Sequence, residues 1–229
     1  MHRMSGIDNS EAPITHHWFD STHITYGVLT GGLVRDTLKV EVSGFRGREP
    51  DQHRHDIAAP APDSVSTRLS WNPTPGLSTQ VSLGHLDSPE QLEPNVNENR
   101  ITASVIYNKQ FGEGNNWATT FVWGRKMNHP GHTLDGFLLE SAIVLADTHT
   151  IFGRAERVDE DELLGHVGAA PVLTPTKFAL GYIFDFRLAE HVKLGIGGLA
   201  SRYIVPKGLD VAYGSDPTSF MTFVRLKIY

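Results

Sequence analysis

Eleven short stretches of this chain alternate apolar with small or polar residues at period two, and the connections between them alternate between tight and long. Successive side chains of an extended strand point to opposite faces, so each stretch presents one apolar and one polar face. A helical reading would need apolar residues to recur at three and four, which these stretches lack. They cover residues 22–33, 37–45, 64–71, 77–85, 100–108, 117–126, 134–145, 150–157, 176–186, 191–203 and 219–228. In the second, Leu38, Val40 and Val42 alternate with Lys39, Glu41 and Ser43. In the ninth, Phe178, Leu180, Tyr182, Phe184 and Phe186 alternate with Ala179, Gly181 and Asp185. The seventh is apolar on both faces; Phe137, Leu139, Ile143 and Leu145 are assigned outward because that register puts Glu140 inside.

Tight connections follow the odd-numbered stretches, with strong turn signals at residues 72–76 and 112–115. Long connections follow the even-numbered ones, at residues 46–63, 87–99, 127–133, 158–175 and 204–218, of which 127–133 is of medium length. A soluble sandwich does not require loops that are short at one end and long at the other; an outer-membrane barrel does. The expected fold is therefore all-β: an antiparallel, up-and-down transmembrane β-barrel of about eleven visible strands over residues 22–229. An odd count does not suit a complete bacterial barrel, which has an even number of strands. The expectation is a part of a larger barrel, with residues 1–21 an outer-side loop or truncated N-terminal segment, because the first strand starts at the long-loop side.

No run of eighteen apolar residues is present, so no transmembrane helix is expected, and only a closed barrel would cross a bilayer. Apolar residues make up 39%, an average that alternation holds down. The absence of cysteine removes thiolate metal sites, cysteine nucleophiles and disulfides, and a net charge of -6 gives no general footprint for nucleic acid. Trp71, Tyr107, Trp117 and Phe186 fall near short-turn ends, and Tyr26, Trp123, Phe137 and Phe220 toward long-loop ends, as two interfacial aromatic belts would.

The stretches HRMSG, APITHHWFDSTHITYGV, SGFRGREPD, RLSWNPTP, SPEQLEP, LLESAIVL, IFGRAERVDEDEL and AYGSDPTSF together resemble the C-terminal portion of an uncharacterised family of proteobacterial outer-membrane β-barrel proteins. The resemblance covers nearly all of the chain. It implies a barrel in the bacterial outer membrane whose usual members carry a signal and further upstream strands. It also implies a context of heavy-metal and copper resistance, and it supplies no catalytic residues. The last strand departs from the outer-membrane pattern: Tyr229 falls on the face of Arg225 and Lys227, not with Phe220, Thr222, Val224, Leu226 and Ile228.

The inward set read from the alternation is Lys39, Glu41, Arg68, Gln80, Glu140, Arg154, Glu156, Asp185, Lys193, Arg225 and Lys227. Mixed charge on a lumen face either lines a polar pore or pairs into a plug. The leading expectation is a porin-like passive channel with no cofactor. Its expected partners are outer-membrane lipid, lipopolysaccharide and the barrel-assembly machinery. A second reading is a surface metal-ion binder. Twelve histidines invite it, with His16 and His17 near Asp20 and His23, and His53 and His55 near Asp51 and Asp56. The acidic run 159–162 is a candidate for Ca²⁺ or Mg²⁺ bridged to lipopolysaccharide phosphate. A third reading is a soluble β-barrel with a ligand cavity. No GxSxG elbow is present, and His85 beside Ser82 or Ser88 is the nearest approach to an enzymatic pair.

Overall fold

The computed structural model describes residues 3–19, 26–48, 62–90, 93–161, 163 and 171–228. Among them, eleven strands form one antiparallel sheet in strict sequence order, β1 to β11. They are β1 (Tyr26–Arg35), β2 (Leu38–Arg46), β3 (Ser64–Thr74), β4 (Leu77–Leu86), β5 (Asn97–Gln110), β6 (Asn116–His129), β7 (Thr133–Leu145), β8 (His149–Val158), β9 (Thr176–Ala189), β10 (Val192–Ile204) and β11 (Thr218–Ile228). Each strand pairs only with its chain neighbours, so the up-and-down order is complete while the sheet remains unclosed. With an odd count, β1 and β11 run in the same direction at the two free edges.

The pairing carries one face of every strand into one continuous surface. Leu33 pairs with Val40, Val40 with Leu69, Leu69 with Val81, and Val81 with Ala103. The row continues through Trp123 and Phe137. Neighbouring rows hold Phe121, Leu139 and Phe178, then Leu180 and Tyr182, all substantially exposed. Large apolar side chains exposed in registered rows across eleven strands form a patch far larger than a water-soluble monomer carries. Glu140 is inside at 1% exposure and Leu139 outside at 50%, which sets the register of β7 as the alternation has it.

The strands run longer than their alternating stretches. β5 and β6 extend several residues past the apolar rows at the long-loop end, and residues 72–74 belong to β3, which leaves Pro75 and Gly76 to turn. The extension of β6 and β7 shrinks their expected medium loop to residues 130–132, shorter than the 111–115 connection on the opposite rim. The alternation of short and long connections therefore fails at this one place. Gly112 and Gly114 supply the left-handed conformations of the 111–115 turn, with φ of 58° and 70°.

Residues 3–19 carry no strand. The sequence set residues 1–21 at the long-loop side. From the single turn α1 (His16–Phe19), which sits against β6 at that side, the described part of the segment crosses the inner face toward the short-turn rim. Trp18 packs with Leu134 and Val158 at one end, and Asp8 reaches Arg225 toward the other. A second apolar cluster, Ala142, Phe152, Ile183 and Leu199 with Phe223 against it, fills the inner face between these levels. The alternation gave no sign of these inward apolar residues. Gly181 makes the cluster possible: a Cβ there would lie 2.1 Å from Phe152 Cζ.

Candidate functional site: the inner wall and its segment

Strand parity puts all eleven inward-assigned residues on the concave side, and their environments fall into two classes. Glu140 is buried between Arg3 of the segment, whose Nε donates to it, and Arg154, whose Nε lies 3.1 Å from Oε2. Glu156 Oε1 accepts from Thr15 Oγ1 at 2.9 Å and from the Thr15 backbone N–H at 3.3 Å. Asp185 receives Arg225 at 2.8 Å, with Lys227 3.8 Å away, and Arg225 also binds Asp8. Lys193 pairs with Asp147 and donates to its backbone carbonyl at 2.7 Å. Around Glu140, Glu156 and Asp185 the low local dielectric strengthens each contact, and a member left alone would carry a large desolvation cost, whereas Asp147 and Lys227 are more exposed.

The other four sit on β2 to β4, where the wall is less deeply buried. Lys39 meets Glu41 at 2.8 Å with its side chain 46% exposed, and Arg68 stands beside Glu41 in register and is exposed. Gln80 donates to Thr102 Oγ1 at 3.3 Å. Their inner-face neighbours are Thr30, Ser43, Ser66, Ser70, Ser78 and Ser82, short hydroxyls that leave room and favour water.

Several site residues escaped the sequence reading. On the wall, Glu98 binds Arg100 at 2.5 Å and Lys126 at 3.5 Å, and Lys177 binds Glu11 at 3.0 Å. Period two carried to the strand ends would have found these. On the segment, Arg3, Ser5, Asp8, Glu11, Thr15 and Trp18 each meet the wall more than a hundred residues away, a relation with no local signature. Glu11 shows how the segment is held. Burial pushes its carboxyl pKa up, but hydrogen bonds from Ser201 and Lys177, with the charges of Lys177 and Arg154, outweigh this and leave it below its ordinary value.

Only part of the histidine set lies among the described residues. His53 and His55, with Asp51 and Asp56, lie outside the described residues, as do Asp20, His23, Glu162 and Tyr229. The rings of His16 and His17 lie tilted against each other, centroids 4.0 Å apart, beside a cavity of about 640 Å³ at the long-loop end. No group of three or more potential metal ligands converges among the described residues. His85 binds Asn99 at 2.8 Å, while Ser82 bonds Thr102 at 2.6 Å on the opposite face, which separates His85 from Ser82.

No protein-family model and no curated protein matches the sequence. Solved structures do match the fold. Pseudomonas aeruginosa OpdL superposes with a TM-score of 0.56 at 12% identity, over 87% of this chain and 59% of its own. Salmonella typhi OmpF, in complex with daunomycin, gives 0.53 at 10% identity, over 87% and 61%. The anion-selective porin of Comamonas acidovorans gives 0.51 at 8%, over 88% and 59%. The fold is that of the outer-membrane porins. The chain spans about 60% of the length of these porins.

Proposed function

We propose that the chain forms the wall of a porin-like passive channel in the bacterial outer membrane, and that residues 3–19 narrow its bore from within. The observation that carries this reading is the contrast between the two faces of one sheet. Outside, registered rows of Val, Leu, Ile and aromatic side chains stand exposed where hydrocarbon would cover them. Inside, β2 to β4 present hydroxyls and the Lys39–Glu41 pair, a polar surface suited to water, while the segment contacts β6 to β11. A solute path therefore runs along the hydroxyl-rich wall, beside Met4 and Ile7, which the segment turns away from its own contacts.

Planar-bilayer recording of the refolded protein tests this directly. Discrete, ohmic conductance steps are expected, and removal of residues 3–15 is expected to enlarge them. A protein that inserts in the bilayer yet passes no current would remove the channel reading.

A further inference from the structure

The lipid-side face is not uniform. On the outer surface of β7 to β10, small residues coincide in register: Ser141 pairs with Gly153, Gly153 with Leu180, and Leu180 with Ala200, while Ala155 lies in the next row. Where a Leu or Phe would fill the wall, these positions leave a trough of about 500 Å³, bordered by Leu139, Phe178 and Leu180. Its lining is almost wholly apolar except at the long-loop end, where Arg202 closes it.

Arg202 points outward: Ser201 before it is buried at 1%, and its register partner Phe178 is exposed on the outer face. Its side chain is 64% exposed and reaches Asp216 only at 3.5 Å. Arg157 is the next outward residue after Ala155 on β8 and is also exposed. It pairs with Phe137 on one side and Thr176 on the other. The backbones of the two arginines lie two strands and one row apart, roughly 10–12 Å. Apolar side chains lie on the side toward the bilayer centre. Cations at the upper edge of an apolar band, with aromatic rings among them, lie at the depth of lipid phosphates.

We propose that this trough seats an acyl chain of a phosphorylated, multiply acylated glycolipid of the outer leaflet, and that Arg202 and Arg157 hold its phosphate. Shape and charge agree: the apolar trough ends at Arg202, Arg157 stands one row further toward the long-loop end two strands away, and planar guanidiniums suit a phosphate oxygen pair. The proposal rests on the outer-membrane reading above, because only the long-loop side of such a barrel faces that leaflet.

The test is native mass spectrometry of the full chain in micelles with lipid A, its phosphate-free form, and inorganic phosphate as competitor. One saturable lipid A is expected, with affinity at least tenfold lower for the phosphate-free form. The R157Q/R202Q pair is expected to lose tenfold or more, and Ala200→Leu, which fills the trough with both arginines intact, a similar amount. Arg35→Gln, which removes an exposed arginine at the short-turn end, is expected to change nothing. Equal binding of the phosphate-free lipid, full competition by millimolar inorganic phosphate, or an unaffected Ala200→Leu variant would each overturn the proposal. Flotation of the protein with vesicles separates the two claims. A chain that floats but shows no lipid selectivity contradicts the trough alone, and one that never floats contradicts the membrane reading beneath it.

Discussion

The walls made by β1 to β4 and by β5 to β11 share one alternation and one outer face, yet their inner faces follow different physics. In β1 to β4, only Phe45, Ser64 and Leu86 are buried, all at the long-loop end, and the rest of the inner face is open. In β5 to β10, inward positions hold Glu98, Glu140, Phe152, Arg154, Glu156, Lys177, Ile183 and Asp185, nearly all fully buried. Large paired groups on one wall meet the segment and are buried. Hydroxyls on the other leave that inner face open. The difference shows that strand alternation specifies which way a side chain points, while side-chain size and pairing decide whether that side is filled.

That contrast can be broken most sharply at the charges. Glu140→Ala strands Arg3 and Arg154 in a buried site, and a loss of about 3–5 kcal/mol in urea unfolding is expected. Glu41→Ala, the matching change on the open wall, removes an exposed pair and is expected to cost under about 1 kcal/mol. Similar losses for both would erase the distinction.

Packing gives a smaller test. Gly181→Ala drives a methyl into Phe152 and is expected to cost about 1–3 kcal/mol, whereas Gly31→Ala on β1, with nothing within 4 Å of its Cβ position, is expected to be near neutral. Thermal midpoints of the two variants decide it.

The smallest effect is acid-dependent. Glu11 has its pKa lowered on folding, so its contribution to docking the segment is complete above the unfolded value near about 4.3 and is lost as pH falls through the folded value. Acrylamide quenching of Trp18 is expected to rise below about pH 4 in the wild type, and to lack that pH step in Glu11→Gln. Identical profiles for the wild type and Glu11→Gln throughout acid titration would show that Glu11 does not hold the segment.

Most of the wall was legible because its outer face carries exposed apolar side chains strand after strand, which gives residues such as Phe178 to Phe186 their period of two. The signal ends where those outer rows end. Residues 127–129 are strand, but with no apolar requirement on their outer face they read as loop. The segment was illegible for another reason. Arg3, Asp8 and Glu11 look like ordinary solvated charges until Glu140, Arg225 and Lys177 are brought across the sheet to meet them. The inward set was legible as a face, but nothing local told Arg154, which is buried, from Arg68, which is wet.

The chain contains no cysteine, so single-cysteine labelling is clean. Cysteines placed one at a time at positions 80 to 83 of β4, with the protein in lipid vesicles, test lipid outside and water inside in one measurement. A membrane-impermeant, water-soluble maleimide is expected to label the Gln80→Cys and Ser82→Cys variants and to leave Val81→Cys and Leu83→Cys unlabelled. Equal labelling at all four positions, or protection of the even ones, would contradict the account.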